Sequence, residues 1–204
     1  MSHDVQAEDP SSSNDRFTTW IMGDTHWSRA GLVSGLVLML IGPLVRSSAG
    51  RVVSLVYYQL PLYMFHQYEE HGHGAFKREV NRMLPSNRAP LTDRKIFWIN
   101  IAGVWGVDLA ALYLTRYLKP AAGLAAPYLA VINGGLHVGG ALRGRRYNPG
   151  LWTSILFLLP FGGRGVWALA RETKASRRDH ARGIGVAVLV HAITLIAILR
   201  KSPR

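Results

Sequence analysis

Between His66 and His73 the sequence gathers three histidines and two glutamates into eight residues, just where an apolar stretch runs out. At 100° per residue, His66, Glu69, Glu70 and His73 fall within an arc of roughly 100°, so one helix face would carry all four. Two carboxylates and two imidazoles so placed make either half of a metal site or an acid/base pair. The plainer alternative is a helix end whose charges mark the boundary with water. His66 and Glu70 stand one helical turn apart, a spacing that lets two side chains grip one ion. Glu70-x-x-His73 matches the carboxylate–histidine spacing of di-iron bundles, but in a single copy, which argues against a dinuclear site.

The chain around this cluster reads as lipid-embedded. Of 204 residues, 49% are hydrophobic and 18% charged, and the apolar residues come in blocks rather than at a soluble protein's helical or strand period. Uncharged runs cover 30–45, 52–68, 121–142, 147–163 and 183–199, and a sixth run, 96–115, is interrupted only by Asp108. With their flanks these runs reach the ~20 residues needed to cross a bilayer. The expected fold is therefore all-α, a bundle of about six transmembrane spans over 29–200. A polar arm without fixed structure precedes it (1–28), and a basic tail follows it (201–204).

The net charge of +12 does not point to nucleic acid, because the basic residues sit between the apolar runs, level with lipid headgroups. Lysine and arginine number fourteen on the side of the N-terminus against nine on the other. That count predicts a cytoplasmic N-terminus in a plasma (inner) membrane. No cysteine is present, which excludes thiolate ligands and Cys nucleophiles. Trp20, Trp27, Trp98 and Trp152 read as interfacial belt residues, and His26, His71 and His180 as interfacial or loop histidines.

Span alternation brings distant polar groups to one level. The second and fourth spans run in the same direction, so His66 lies roughly 9 Å, and His137 roughly 8 Å, inside the same membrane face. The third span enters from that face and sets Asn100 at a similar depth. Ionisable groups in a bilayer are costly unless paired, hydrated or metal-bound, so their agreement in depth predicts a shared functional cavity. Asp108 and His191 come out near the bilayer centre, where they could pair with each other as the floor of the cavity or as a structural hydrogen bond. Pro149 and Gly150 predict a turn that starts the fifth helix, with Tyr147 at the interface.

His66-Gln-Tyr-Glu69-Glu70, followed by Asn133-Gly-Gly-Leu-His137 and Tyr147-Asn-Pro-Gly150, resembles the three ordered motifs of the HXXEE-domain proteins, over roughly residues 55–165. That resemblance implies a membrane protein without an assigned general reaction. It carries over His66, Glu69, Glu70, Asn133, His137, Tyr147, Pro149 and Gly150.

Three functions fit these residues. In the first, a metal-dependent enzyme, His66, Glu70, His137 and His73 are the candidate ligands of a divalent ion, zinc or iron. Glu69, Glu70, Asn133 and Tyr147 are then the candidate catalytic groups. The second is a metal-free isomerase or terpene-type cyclase using Glu70 or Glu69 as an acid. The third is a transporter or lipid-binding protein. The expected partners are membrane lipids and a lipophilic small molecule, with a homodimer open and nucleic acid excluded.

Overall fold

The computed structural model describes residues 10–23 and 26–200, and among them helices joined by short loops make up the fold, with no strand. Five stretches among the described residues are long and apolar enough to cross a membrane: His26–His71, Asp93–Tyr117, Pro120–Gly144, Leu151–Glu172 and Arg177–Ile198. The first, at 46 residues, is twice the length of a single crossing. It opens with α2 (His26–Tyr57), which breaks at Gly50, where φ is 85° and ψ 177°. Glycine reaches this left-handed region without a Cβ penalty. The two arms then fold against each other: Tyr57 Oη donates to the Leu38 carbonyl at 2.8 Å, and Gly35 lies under Met64 and Phe65. The sequence places a loop between Arg46 and Arg51; the structure turns at a single glycine instead, so the first two of the six apolar runs belong to one 46-residue stretch.

After α2 comes α3 (Gln59–His71), which carries the His/Glu cluster. Pro61 has no N–H to offer the Tyr57 carbonyl, and the helix is interrupted there at Tyr58. The other spans are α5 (Asp93–Tyr117), α6 (Pro120–Gly144), α7 (Leu151–Glu172) and α8 (Arg177–Ile198). Two π-helical segments, Ile99–Trp105 in α5 and Ser154–Leu158 in α7, interrupt the regular ladder beside the cluster. Tyr63, Leu129, Ala130, Leu158 and Ala187 form the core beneath it, and Trp27, Leu91 and Ile96 close it above.

Four sequence expectations change. Residues 10–22 of the expected unstructured arm form α1 (Pro10–Met22), whose Phe17 and Trp20 are exposed while Ile21 packs on the Trp27 cluster. The rest of that arm up to residue 9, and the tail at 201–204, lie outside the described residues. The basic loop after α3 contains α4 (Ala75–Met83), whose apolar Phe76 and Val80 turn back onto the same cluster. Trp27 is no belt residue: it is buried beside His71, ring centroids 5.3 Å apart. Finally, Asp108 and His191 do not pair. His191 Nδ1 donates to the Ala187 carbonyl one turn back and its Nε2 faces Asn133, while both Asp108 oxygens are buried without a hydrogen-bond partner among the described residues.

Candidate metal centre

Helix α3 ends at His71, and its last turn and a half builds the centre. His66 is fully buried and Glu70 nearly so. Glu70 Oε2 lies 3.6 Å from His66 Nε2, and Glu70 Oε1 lies 3.6 Å from His137 Nε2 on α6. The ligand atoms of His66, Glu70 and His137 all fall within 4.8 Å of one another, close enough to hold one metal ion. Asn133, one turn before His137, sends Nδ2 to His66 Nε2 at 3.0 Å. The expected meeting of the second and fourth spans is thus formed.

The proton positions on both imidazoles follow from their partners. Thr153 Oγ1 is 2.5 Å from Glu69 Oε2 and gives its one proton to that carboxylate. It can therefore only accept from His66 Nδ1, at 2.9 Å, which puts the His66 proton on Nδ1. On the other side, Asn148 Nδ2 donates to the His137 carbonyl at 2.8 Å, so its Oδ1 is the atom facing His137 Nδ1 at 3.0 Å. His137 carries its proton on Nδ1 too. With Nδ1 of each ring committed to an outer partner, both rings turn Nε2 toward the same carboxylate, the arrangement by which outer partners fix metal-ligating histidines.

Glu69 sits one residue from this and does different work. Its Oε1 accepts from Tyr147 Oη at 2.9 Å and from the Trp152 N–H at 3.0 Å; its Oε2 accepts from the Thr153 N–H at 2.7 Å and from the Thr153 hydroxyl. Two of these donors are the free N–H groups of the first turn of α7, which every helix start must satisfy. Glu69 therefore fastens α7 to the end of α3. Tyr147, on the loop between α6 and α7, keeps half of its surface exposed. Burial, and after it the Glu69 carboxylate that accepts its proton, pushes the Tyr147 phenol from 10.0 up to about 12. The fold holds the neutral phenol, so the contact's contribution to stability is full below pH about 10 and is lost as pH rises through about 12. A spectrophotometric titration should show the phenol missing from Tyr147→Phe ionising near 12; ionisation near 10 would contradict the contact.

Gly150 explains the last motif residue. Its φ is 94°, and a Cβ built on it would lie 2.7 Å from His66 Cε1 and 2.9 Å from His137 Cε1. The turn that starts α7 also presses bare backbone against both imidazoles.

The family described as a protein of unknown function with an HXXEE motif matches residues 57–163, just over half of the chain. The chain belongs to the HXXEE family. No curated protein and no solved structure matches it. The HXXEE match begins at Tyr57, near the end of α2, and takes in all of α3, α5 and α6 and the first half of α7, the elements that carry the three motifs.

Not every expected residue joins the centre. His73 is corrected: α3 stops at His71, the seventh position after His66 never forms on the helix, and the ring is exposed. His71, read from sequence as an interfacial residue, is buried instead, with Nε2 3.2 Å from Glu70 Oε2. Behind it runs a chain of polar groups. Trp105 Nε1 donates to Gln67 Oε1 at 2.6 Å, Gln67 Nε2 to Asn100 Oδ1 at 2.9 Å, and Asn100 Nδ2 faces His71 Nε2 at 3.2 Å. Helical periodicity sets His71 and Gln67 on a face away from His66, so only knowledge of what packs there could have found them. Thr153 and Asn148 were also missed, although Thr153 in the first turn after Gly150 is a place where hydroxyls serve helix starts.

Proposed function

We propose that the protein is a metal-dependent integral-membrane enzyme acting on a lipophilic substrate, with a divalent ion, zinc or iron, held by His66, Glu70 and His137. The observation that carries this reading is the pair of Nε2 atoms turned on one carboxylate from two helices. Ligand atoms about 2.0–2.1 Å from a tetrahedral ion stand roughly 3.4 Å apart, and the two His–Glu separations of 3.6 Å need little closing. Three protein ligands leave a further position for water or substrate, and a bound ion would supply Lewis-acid activation there. Glu70, Asn133 and His137 border a large cleft, so that position is reachable from outside. Asn133 is placed to orient what binds. Glu69 and Tyr147 act in this reading as positioning residues, since Glu69 already accepts from four donors. The N-terminal end of α2 packs on His71, which in this reading supports a centre on the N-terminal side of the membrane, and the excess of basic residues there favours the cytoplasmic side.

Elemental analysis of protein purified without added chelator tests the proposal. About one divalent ion per chain is expected, with His66→Ala and His137→Ala losing it while still folding. Thr153→Val, which frees the His66 tautomer, should weaken metal affinity by roughly ten- to a hundredfold in a chelator competition.

One observation favours a second reading, acid/base isomerisation or cyclisation. Asn133 Nδ2 covers the His66 lone pair, and His71 sits on Glu70, so the cluster is hydrogen-bonded without an ion. Metal-free wild-type protein, with no loss in the alanine variants, would select it.

A further inference from the structure

The cleft beside the centre has a volume of about 900 Å³, near the upper end for small-molecule sites. Glu70, Asn133 and His137 form its inner end. Its flanks are Leu136 on α6 with Val188 and Leu195 on α8, each more than half exposed although each lies within a span. Exposed apolar side chains at that level face lipid tails, so the cleft opens sideways into the bilayer and admits a chain rather than a polar solute. Gly140 and Gly144 follow His137 at one and two turns along the same helix face and add no side chain of their own to the cleft, whose wall there is made by Asn148 and Arg146.

At the surface end the chemistry changes sign. Arg143 and Arg146 meet the cleft there with Glu79 of α4. Arg146 Nη2 is held by Glu79 Oε1 at 2.7 Å. Arg143 is exposed and pairs with no carboxylate among the described residues, so the mouth keeps a net positive charge. Greasy walls beneath an uncommitted guanidinium are complementary to one kind of molecule.

We propose that this cleft binds a lipid with an anionic phosphate headgroup, the phosphate on Arg143 and a chain along Leu136, Val188 and Leu195. This names the substrate class of the metal site and rests on that reading. Arg143 lies six residues beyond His137, a helical rise of about 9 Å. The group presented to His66, Glu70 and His137 is then several bonds from the phosphate, in the linkage or the chain and not in the headgroup.

The test uses the full chain in phosphatidylcholine nanodiscs and a phosphatidic acid bearing a diazirine in its tail. Photolysis should label peptides containing Leu136 and Leu195. Unlabelled phosphatidic acid should compete, and a phosphatidylcholine probe with the same tail should label about tenfold less. Arg143→Gln should lower labelling by about tenfold, and Arg164→Gln, an exposed arginine of α7 away from the cleft, should leave it unchanged. Leu136→Trp, which fills the cleft with Arg143 in place, should remove labelling, so the result does not hang on one variant's folding. Equal labelling by the two probes, wild-type labelling of Arg143→Gln, or competition by soluble glycerol phosphate at the same concentration each overturns the proposal. Metal content measured on the same samples separates the two readings: metal-free protein that still labels in this pattern overturns the metal enzyme and keeps the lipid site.

Discussion

Gly150→Ala is expected to strip the protein of its metal and to lower its melting temperature in detergent by roughly 5–15 °C. Two costs combine. A non-glycine residue at φ 94° costs about 1–2 kcal/mol. The new methyl group would also lie 2.7 Å from His66 Cε1 and 2.9 Å from His137 Cε1, and such overpacking costs about 1–3 kcal/mol. Those atoms belong to the two rings that aim at Glu70, so relief comes by pushing the ligands apart. Metal sites tolerate only about 0.2 Å of ligand displacement, less than the shift the methyl group demands. Gly135→Ala is the matched control: nothing lies within 4 Å of a Cβ there, on the same helix as His137. It should melt at or above the wild-type temperature and keep its metal. If Gly150→Ala retained wild-type metal content, the close approach of the α7 turn to the centre would be wrong.

The apolar runs made the spans and their direction legible, because bilayer thickness imposes a length that sequence must meet. From direction and rise alone, His66 and His137 could be set at one depth, and the structure brings them to the same carboxylate. What could not be read is anything that depends on a local departure from the regular helix. His73 drops out because α3 stops at His71. His71 enters because Trp27 and Phe76 cover its face, which no period of 3.6 predicts. The supposed partnership of Asp108 and His191 rested on depth alone. Depth fixes one coordinate of three; His191 turned toward Asn133 on α6 instead. The π-helical segments of α5 and α7, which shift the register at Asn100 and Ser154, leave no recognisable mark in the sequence. The polar stretch after α3, which falls between two apolar runs, is not all loop: residues 75–83 form an amphipathic helix whose apolar side lines the cleft.

Glu69 decides whether the two adjacent glutamates of the motif share one task or divide two. Read from spacing, it is a base beside a metal. Read from its contacts, it is the acceptor for two backbone N–H groups, a threonine hydroxyl and a tyrosine hydroxyl. Removing it leaves the start of α7 with unsatisfied donors, and hydrogen bonds to a charged group contribute about 1.5–3 kcal/mol each. They are not additive, and Glu69→Ala is expected to cost about 3–5 kcal/mol, more than a typical substitution. The damage should spread in a defined order: Thr153 loses the carboxylate that takes its proton, His66 loses the tautomer that Thr153 imposes, and metal affinity falls. Glu69→Gln is the sharper test. The amide keeps the shape but turns an NH2 group toward at least one donor, so the fastening fails although the volume is unchanged. A drop in both melting temperature and metal affinity for Glu69→Gln supports the positioning role. A Glu69→Gln variant that melts like the wild type and binds metal as tightly would return Glu69 to the chemistry, since only a base could then require its charge.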